Sequence, residues 1–208
     1  MQNGSLCAII GDDDYIVRQK AKEVFDDWTK DFPDDLSREI IDGRADRVDD
    51  VLRILSEAKA ATTTLSLFGG GKLVWINEAN FINQNKTGAA KGAKDALEDA
   101  KAFLEKLEDS RVILSACPIH RGHGFVKWLQ KNADFHDLAK NEKEDVAFRR
   151  LVEETASELE VKFAPGALDY LAGKIGAHPR LGVEETRKLA SFLGSEGNEI
   201  TEQMIINL

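Results

Sequence analysis

The sequence predicts an α/β domain built on a five-stranded parallel sheet, followed by a small helical domain. Three observations predict it. Short apolar, β-branched runs alternate with stretches of helical periodicity through residues 1–140, the pattern of strand–helix–strand units. The first run, Leu6 to Ile10, is apolar throughout rather than alternating, and Leu73 to Ile76 is likewise a β-branched and aromatic run, as in strands covered on both faces. From Asn141 onward helical spacing alone continues, which sets domains at 1–140 and 141–208.

Leu6-Cys7-Ala8-Ile9-Ile10 is the first strand, stopping at Gly11. A helix follows with Val17, Ala21, Val24, Phe25 and Trp28 at helical spacing, Asp13 or Asp14 as its cap and Pro33 beyond its end. Glu39 to Asp42 is the second strand, closed by Gly43, and Val48, Val51, Leu52, Leu55 and Ala58 mark the inner face of the next helix. Lys72-Leu73-Val74-Trp75-Ile76 is the third strand, followed by a polar loop through Asn83, Asn85 and Gly88. Ala93, Leu97, Ala100, Leu104 and Leu107 face inward from a long helix, and Arg111 to Ser115 is the fourth strand. A glycine-containing loop after Cys117 and Pro118 opens a helix around Phe125 to Lys131, and Ala133 to Leu138 supplies a short fifth strand. In the second domain the inner faces are Val146, Leu151, Val152, Ala156 and Leu159, then Leu168, Leu171 and Ile175 after Pro165. Leu181, Leu189, Phe192 and Leu193 belong to a third helix ending at Gly194, and a last helical signal opens at Thr201.

Between the second helix and the third strand lies Thr64-Leu65-Ser66-Leu67-Phe68-Gly69-Gly70-Gly71. Three consecutive glycines forbid a regular interior there, because each carries a large entropic cost in a helix or strand. The apolar side chains before them therefore sit on a ledge anchored to a rigid strand. Leu67 and Phe68 fit two readings at this point, a plug for the chain's own core or a contact offered to a partner.

The chain has 208 residues and a formal net charge of −9, room for one large domain and one small one. Excess acid argues against a free-standing nucleic-acid binder, which needs clustered Lys and Arg. No apolar run reaches membrane-spanning length and the first residues carry no export signal, which points to the cytoplasm. Cys7 and Cys117 read as small buried hydrophobes in a reducing compartment.

A parallel sheet with a helical lid commonly houses a nucleotide at its first loop. That loop is Gly11-Asp12-Asp13-Asp14, with no Lys, no Ser or Thr and one glycine, where a phosphate cradle needs all three kinds of residue. Three carboxylates at a helix start repel a triphosphate by several kcal/mol, on the order-of-magnitude estimate for like charges at partial burial. The third strand ends Asn77-Glu78, where an ATPase of this architecture carries an Asp before the Glu to hold magnesium. The expectation is a degenerate site with no cofactor.

Cys117, His120, His123 and His136 are zinc-type ligands within a short stretch, yet structural zinc relies on paired cysteines and histidines in a basic loop are commonly solvated, so no metal is assigned. Arg121, Lys127 and Lys131, beside Trp128 and these histidines, form either a solvated helix face or a weak DNA contact made inside a larger assembly. The pairs Asp26-Asp27, Asp34-Asp35 and Asp49-Asp50 have no base or nucleophile beside them and receive no catalytic role.

Several of these pieces together resemble the delta subunit of bacterial DNA polymerase III, a member of the clamp loader. They are Ile9-Ile10-Gly11-Asp12-Asp13, Ile41-Asp42-Gly43-Arg44, Leu65-Ser66-Leu67-Phe68-Gly69-Gly70 before Lys72-Leu73-Val74, Phe125-Val126-Lys127-Trp128-Leu129, and Phe163 to Leu171 in the second domain. The resemblance covers nearly the whole chain, and the Ser-Leu-Phe-Gly-Gly ledge is its most specific part. It implies an AAA+-like module that has lost its ATP site, a non-catalytic subunit of a nucleotidyltransferase holoenzyme. Its partners would be the ring-shaped sliding clamp (the beta subunit) and the other loader subunits. The family inserts its Leu-Phe pair into a hydrophobic pocket of the clamp and helps spring the ring open, which implies Leu67 and Phe68 as anchors with Leu65 and Ser66 beside them. The family's third, collar domain is not matched, and Arg180, in Gly176-Ala177-His178-Pro179-Arg180, stands where AAA+ proteins place a nucleotide sensor. A nucleotide hydrolase with an unusual loop, or an interaction scaffold outside replication, are the alternatives.

Overall fold

The computed structural model describes residues 4–63, 70–138, 144–193 and 197–207. The chain divides into two compact units, Met1–Ala139 and Lys140–Leu208.

The first unit runs β1 (Leu6–Gly11), α1 (Asp14–Trp28), β2 (Arg38–Asp42), α2 (Val48–Thr63), β3 (Leu73–Asn77), α3 (Lys86–Ala89), α4 (Lys91–Leu104), β4 (Arg111–Ala116), α5 (Gly124–Asn132) and β5 (Asp134–Leu138). The strands form one sheet in the order β2-β3-β4-β1-β5, and every neighbouring pair is parallel. All five predicted strands are present. β1 leads to the far edge of the sheet, β2 to β4 step back toward it, and β5 adds on its other side, so the change of direction falls at β1.

Every residue of β1 is buried, and period-2 alternation divides the strands between two cores. Ala8 and Ile10, with Val74, Ile76, Val112 and Leu114, pack under α2, α4 and α5. Cys7 and Ile9, with Leu73, Trp75 and Ile113, pack under α1 and Phe32. In α2 the buried stripe is Val51, Ile54, Leu55, Ala58 and Ala61, and Leu52, expected inside, is 48% exposed. It lies one residue past the stripe, about 100° around the helix. The expected polar loop after β3 contains α3, capped by Asn85, whose Oδ1 accepts the Gly88 N–H at 2.7 Å. A four-residue helix has no periodic signal to read.

The second unit comprises α6 (Glu144–Glu158), β6 (Lys162–Phe163), α7 (Ala167–Ile175), α8 (Pro179–Leu193), β7 (Glu199–Ile200) and α9 (Glu202–Ile206). α6 and α8 meet at Gly182, where a Cβ would lie 2.4 Å from Phe148 Cε2 and 2.6 Å from Val152 Cγ2. This close crossing selects a narrower stripe than the sequence predicts. Val146, Leu159, Leu181 and Phe192 are exposed, while Phe148 and Gly182, not singled out in the sequence, are in the contact. The parallel pair β6–β7 was not anticipated, since two residues per strand show no alternation.

The flanks of the predicted ledge are fastened together by one hydroxyl. Ser110 Oγ accepts the Lys72 N–H at 3.0 Å and donates to the Thr62 carbonyl at 3.0 Å, joining the end of α2 to the start of β3. Gly71 is required beside it, because a Cβ there would lie 2.2 Å from the Asp109 carbonyl carbon. Ser110 is 4% exposed, so its removal strands a backbone donor and an acceptor. Ser110→Ala is expected to lower the free energy of unfolding by about 1–3 kcal/mol, read as a fall in the urea midpoint at unchanged slope.

Candidate functional site

In a parallel sheet the ligand crevice opens at the carboxyl ends of the strands, where the strand order changes direction. Here that place is set by Gly11, Asn77 and Ala116, the last residues of β1, β3 and β4.

Only Asp12 and Asp13 separate β1 from α1, too few for a loop that wraps a phosphate. Asp13 is the helix cap, its Oδ1 accepting the Ile16 N–H at 3.0 Å. Asp12 serves a different end. The Arg121 guanidinium donates to both Asp12 oxygens at 3.0 and 3.1 Å, and its Nε and Nη2 reach Asp137 at 2.9 Å each. Two forked pairs therefore share one cation between the β1–α1 turn, the β4–α5 loop and β5. Hydrogen bonds first to Asp137 and then to Asp12 hold the guanidinium well above its ordinary range.

Asn77 is equally engaged. The Ser115 hydroxyl donates to Asn77 Oδ1 at 3.2 Å while accepting Trp75 Nε1–H at 3.0 Å and the Glu78 N–H at 3.4 Å. Glu78 has a left-handed backbone, φ 58°, and its carboxylate lies 3.7 Å from Arg18 and 3.8 Å from Arg44. Arg44 in turn hydrogen-bonds Asp42 and holds its carboxyl below the usual range. These residues do not fit magnesium–nucleotide: the cation at the β1–α1 turn, Arg121, is already shared by two carboxylates, and the amide in the acid's position is held by a serine. Cys117, at the end of β4, is pushed up to about 11 by burial and then by Asp14, Asp13 and Asp12, so its thiol stays protonated and unreactive.

Of the histidines that the sequence placed together, the structure keeps His120 and His123 side by side and sets His136 apart. His123 caps α5, Nδ1 accepting the Phe125 N–H at 3.2 Å, and His120 Nε2 meets Gln84 Nε2 at 2.8 Å. Both line a cleft of about 450 Å³ with Asn83, Lys94 and Glu98, whereas His136 lies beside Asp134 on β5. Lys127 and Lys131 are exposed on α5. Trp128 between them donates to Glu105 at 3.1 Å and stacks on Phe125. Arg121 stands apart from the two lysines, committed to its carboxylates. Arg180 pairs with Glu184 at 3.0 Å. Leu65, Ser66, Leu67 and Phe68 lie outside the described residues. Among the described residues no helix is long and apolar enough to cross a membrane.

Sequence reasoning missed Asp137, Ser110 and Ser115. The partners of Arg121 are 109 and 16 residues away, and only the strand order brings them together.

Burial, then the charges of Lys94 and His120, depress His123 from an imidazole's ordinary 6.5. Its cap requires the neutral ring, so the stabilisation is complete above about 6.5 and is lost as pH falls through the lower folded-state value. In a pH series of thermal melts, His123→Asn, which keeps a cap, is expected to lose less stability than the parent below that pH. Arg121→Gln is expected to cost about 0.5–1 kcal/mol by chemical denaturation, with the difference shrinking as salt rises.

The sequence profile described as DNA polymerase III, delta subunit matches residues 8–138. No curated protein matches the chain by sequence. Among solved structures, the DNA clamp loader delta protein of Bacillus subtilis superposes with a TM-score of 0.58 at 17% identity, over 98% of this chain and 57% of that one. The RuvB Holliday junction branch migration motor of Thermotoga maritima gives 0.54 at 12% identity, over 98% of this chain and 60% of that one. PCH-2 of C. elegans gives 0.52 at 12%, over 97% and 59%. At these identities the likeness is one of fold, an AAA+-like α/β architecture, and the chain spans less than two thirds of each of these structures.

Proposed function

Because the chain belongs to the DNA polymerase III delta-subunit family, we propose that it is a non-catalytic arm of a replicative clamp loader that binds the sliding clamp through Leu67 and Phe68, with Leu65 and Ser66 beside them. The family match carries the proposal. It spans the first unit from β1 to β5, including the segment that bears these four residues.

Two features support it. The nucleotide crevice is filled by the chain's own ion pairs, Arg121 with Asp12 and Asp137 and Glu78 with Arg18 and Arg44, so ATP hydrolysis falls to other subunits. The flanks of the Leu65–Phe68 segment are fixed by Ser110, which limits the ordering cost of presenting a short apolar ledge. Seating a Leu and a Phe in an apolar socket yields about 1.5–3 kcal/mol each before association costs, enough to make both hot spots. Binding biases the ring toward an open state in proportion to the difference in affinity for open and closed rings. Lys127 and Lys131 are candidate DNA contacts within the assembled loader, at most weak ones for the isolated, acidic chain.

Titrating the cognate sliding clamp into the purified protein tests the reading. Leu67→Ala and Phe68→Ala are each expected to weaken binding by about ten- to a hundredfold, and together to abolish it, with the circular dichroism spectrum and melting temperature unchanged. Unaltered affinity in the double variant would remove the ledge from the interface. Calorimetry with magnesium–ATP is expected to give no binding heat, and appreciable heat would favour a nucleotide hydrolase instead.

A further inference from the structure

On the face of the sheet that α1 covers, Cys7 and Ile9 of β1 belong to an apolar core with Val17, Ala21 and Phe32. The register continues that face onto β5, where Cys7 lies opposite Asp134 and Ile9 opposite His136. Two polar residues with a spacing of two thus occupy the side of the edge strand where apolar packing would be expected. The Cys7 Sγ, a carboxylate oxygen of Asp134 and a ring nitrogen of His136 all lie within 4.8 Å of one another, and His136 Nε2 is 3.3 Å from Asp134 Oδ2. Among the described residues this is the one group of three or more His, Cys, Asp and Glu side chains that converges in this way.

We propose that Cys7, Asp134 and His136 form a binding site for a divalent ion of the zinc class, which ties edge strand β5 to the central strand β1. The donor set selects the ion. A sulfur, an imidazole nitrogen and one carboxylate oxygen suit zinc, whereas magnesium and calcium take oxygen ligands. Three protein donors leave the fourth tetrahedral position to water. The site has a floor and an open rim: Cys7 is fully buried, while the Asp134 and His136 side chains retain 57% and 32% of their exposure. The donors stand on two hydrogen-bonded strands, so little backbone freedom is lost on binding.

Binding requires the thiol to give up its proton. Burial, then the neighbouring Asp134 charge, pushes the Cys7 thiol up to about 12, with Lys20 opposing, so without metal it is a neutral, unreactive thiol. On binding, the S–H bond breaks, its proton passes to solvent and a sulfur–metal bond forms. The thiolate and the Asp134 carboxylate then offset the dication, and the neutral imidazole adds no charge.

The test uses the full chain, stripped with chelator and titrated with cobalt(II), which reports thiolate ligation by a near-ultraviolet charge-transfer band, and then with zinc to displace it. One equivalent of cobalt with that band, zinc displacement and a rise in melting temperature with zinc are expected. Cys7→Ser is expected to lose the band and to weaken binding by more than about a hundredfold, beyond what loss of a group behind a ligand costs. His136→Gln and Asp134→Asn lie at partly exposed positions and keep the test independent of folding; each should weaken binding at least about tenfold. Cys117→Ser should leave the band intact. The absence of a thiolate band, its survival in Cys7→Ser, or unchanged affinity in both His136→Gln and Asp134→Asn would overturn the site. None of these outcomes depends on clamp binding.

Discussion

The structure depends on the burial of β1 on both faces. A six-residue strand with no exposed side chain is stable only inside a sheet that is itself covered front and back. That requirement places β4 and β5 on its two sides and layers of helix above and below. It also collects the carboxyl ends of β1, β3 and β4, with the loops that follow them, at one end of the sheet. In a nucleotide hydrolase that end is the catalytic crevice. Here the same geometry brings together Asp12, Asp137 and Arg121, and the space is used for internal ion pairs.

The Arg121 bridge and the Ser115 network engage the polar groups at this end of the sheet with partners from the chain itself. A cation that would neutralise phosphate is shared by two carboxylates, and the residue in the magnesium-binding position is an amide fixed by a serine hydroxyl. Each is an interaction within the chain that satisfies a polar group of these loops. On the proposed reading the rigid sheet serves as a scaffold, and the segment between α2 and β3, whose flanks Ser110 joins, meets a partner. This is the physical sense of the proposed division of labour: the scaffold persists, and function moves from the mouth of the crevice to a ledge on its flank.

Legibility followed the range of each interaction. Apolar runs and 3.6-residue periodicity are local, so the five strands and the main helices could be read from the residues themselves. The expected positions that failed, Leu52, Val146, Leu159, Leu181 and Phe192, are apolar residues beside a true stripe; sequence shows that they are apolar but not how wide the contact is. Gly182 decides that width between α6 and α8, and nothing in the sequence marks it. The histidines make the same point from the opposite direction. Closeness in sequence grouped Cys117, His120 and His123 with His136, whereas the fold takes His136 out of that group and sets it beside Asp134 and opposite β1.

By itself, then, the sequence determined the alternation of strands and helices, the lack of Lys, Ser and Thr in the first loop and the apolar Leu67-Phe68 segment, because each is encoded in residues close along the chain. Only the tertiary structure decided that Arg121 joins Asp12 to Asp137, that Ser110 fastens Thr62 to Lys72, and that Cys7 faces Asp134 and His136. Those groupings depend on strand order and register, which juxtapose residues up to 127 positions apart, and a parallel sheet sets both through the whole of its packing rather than through any one stretch.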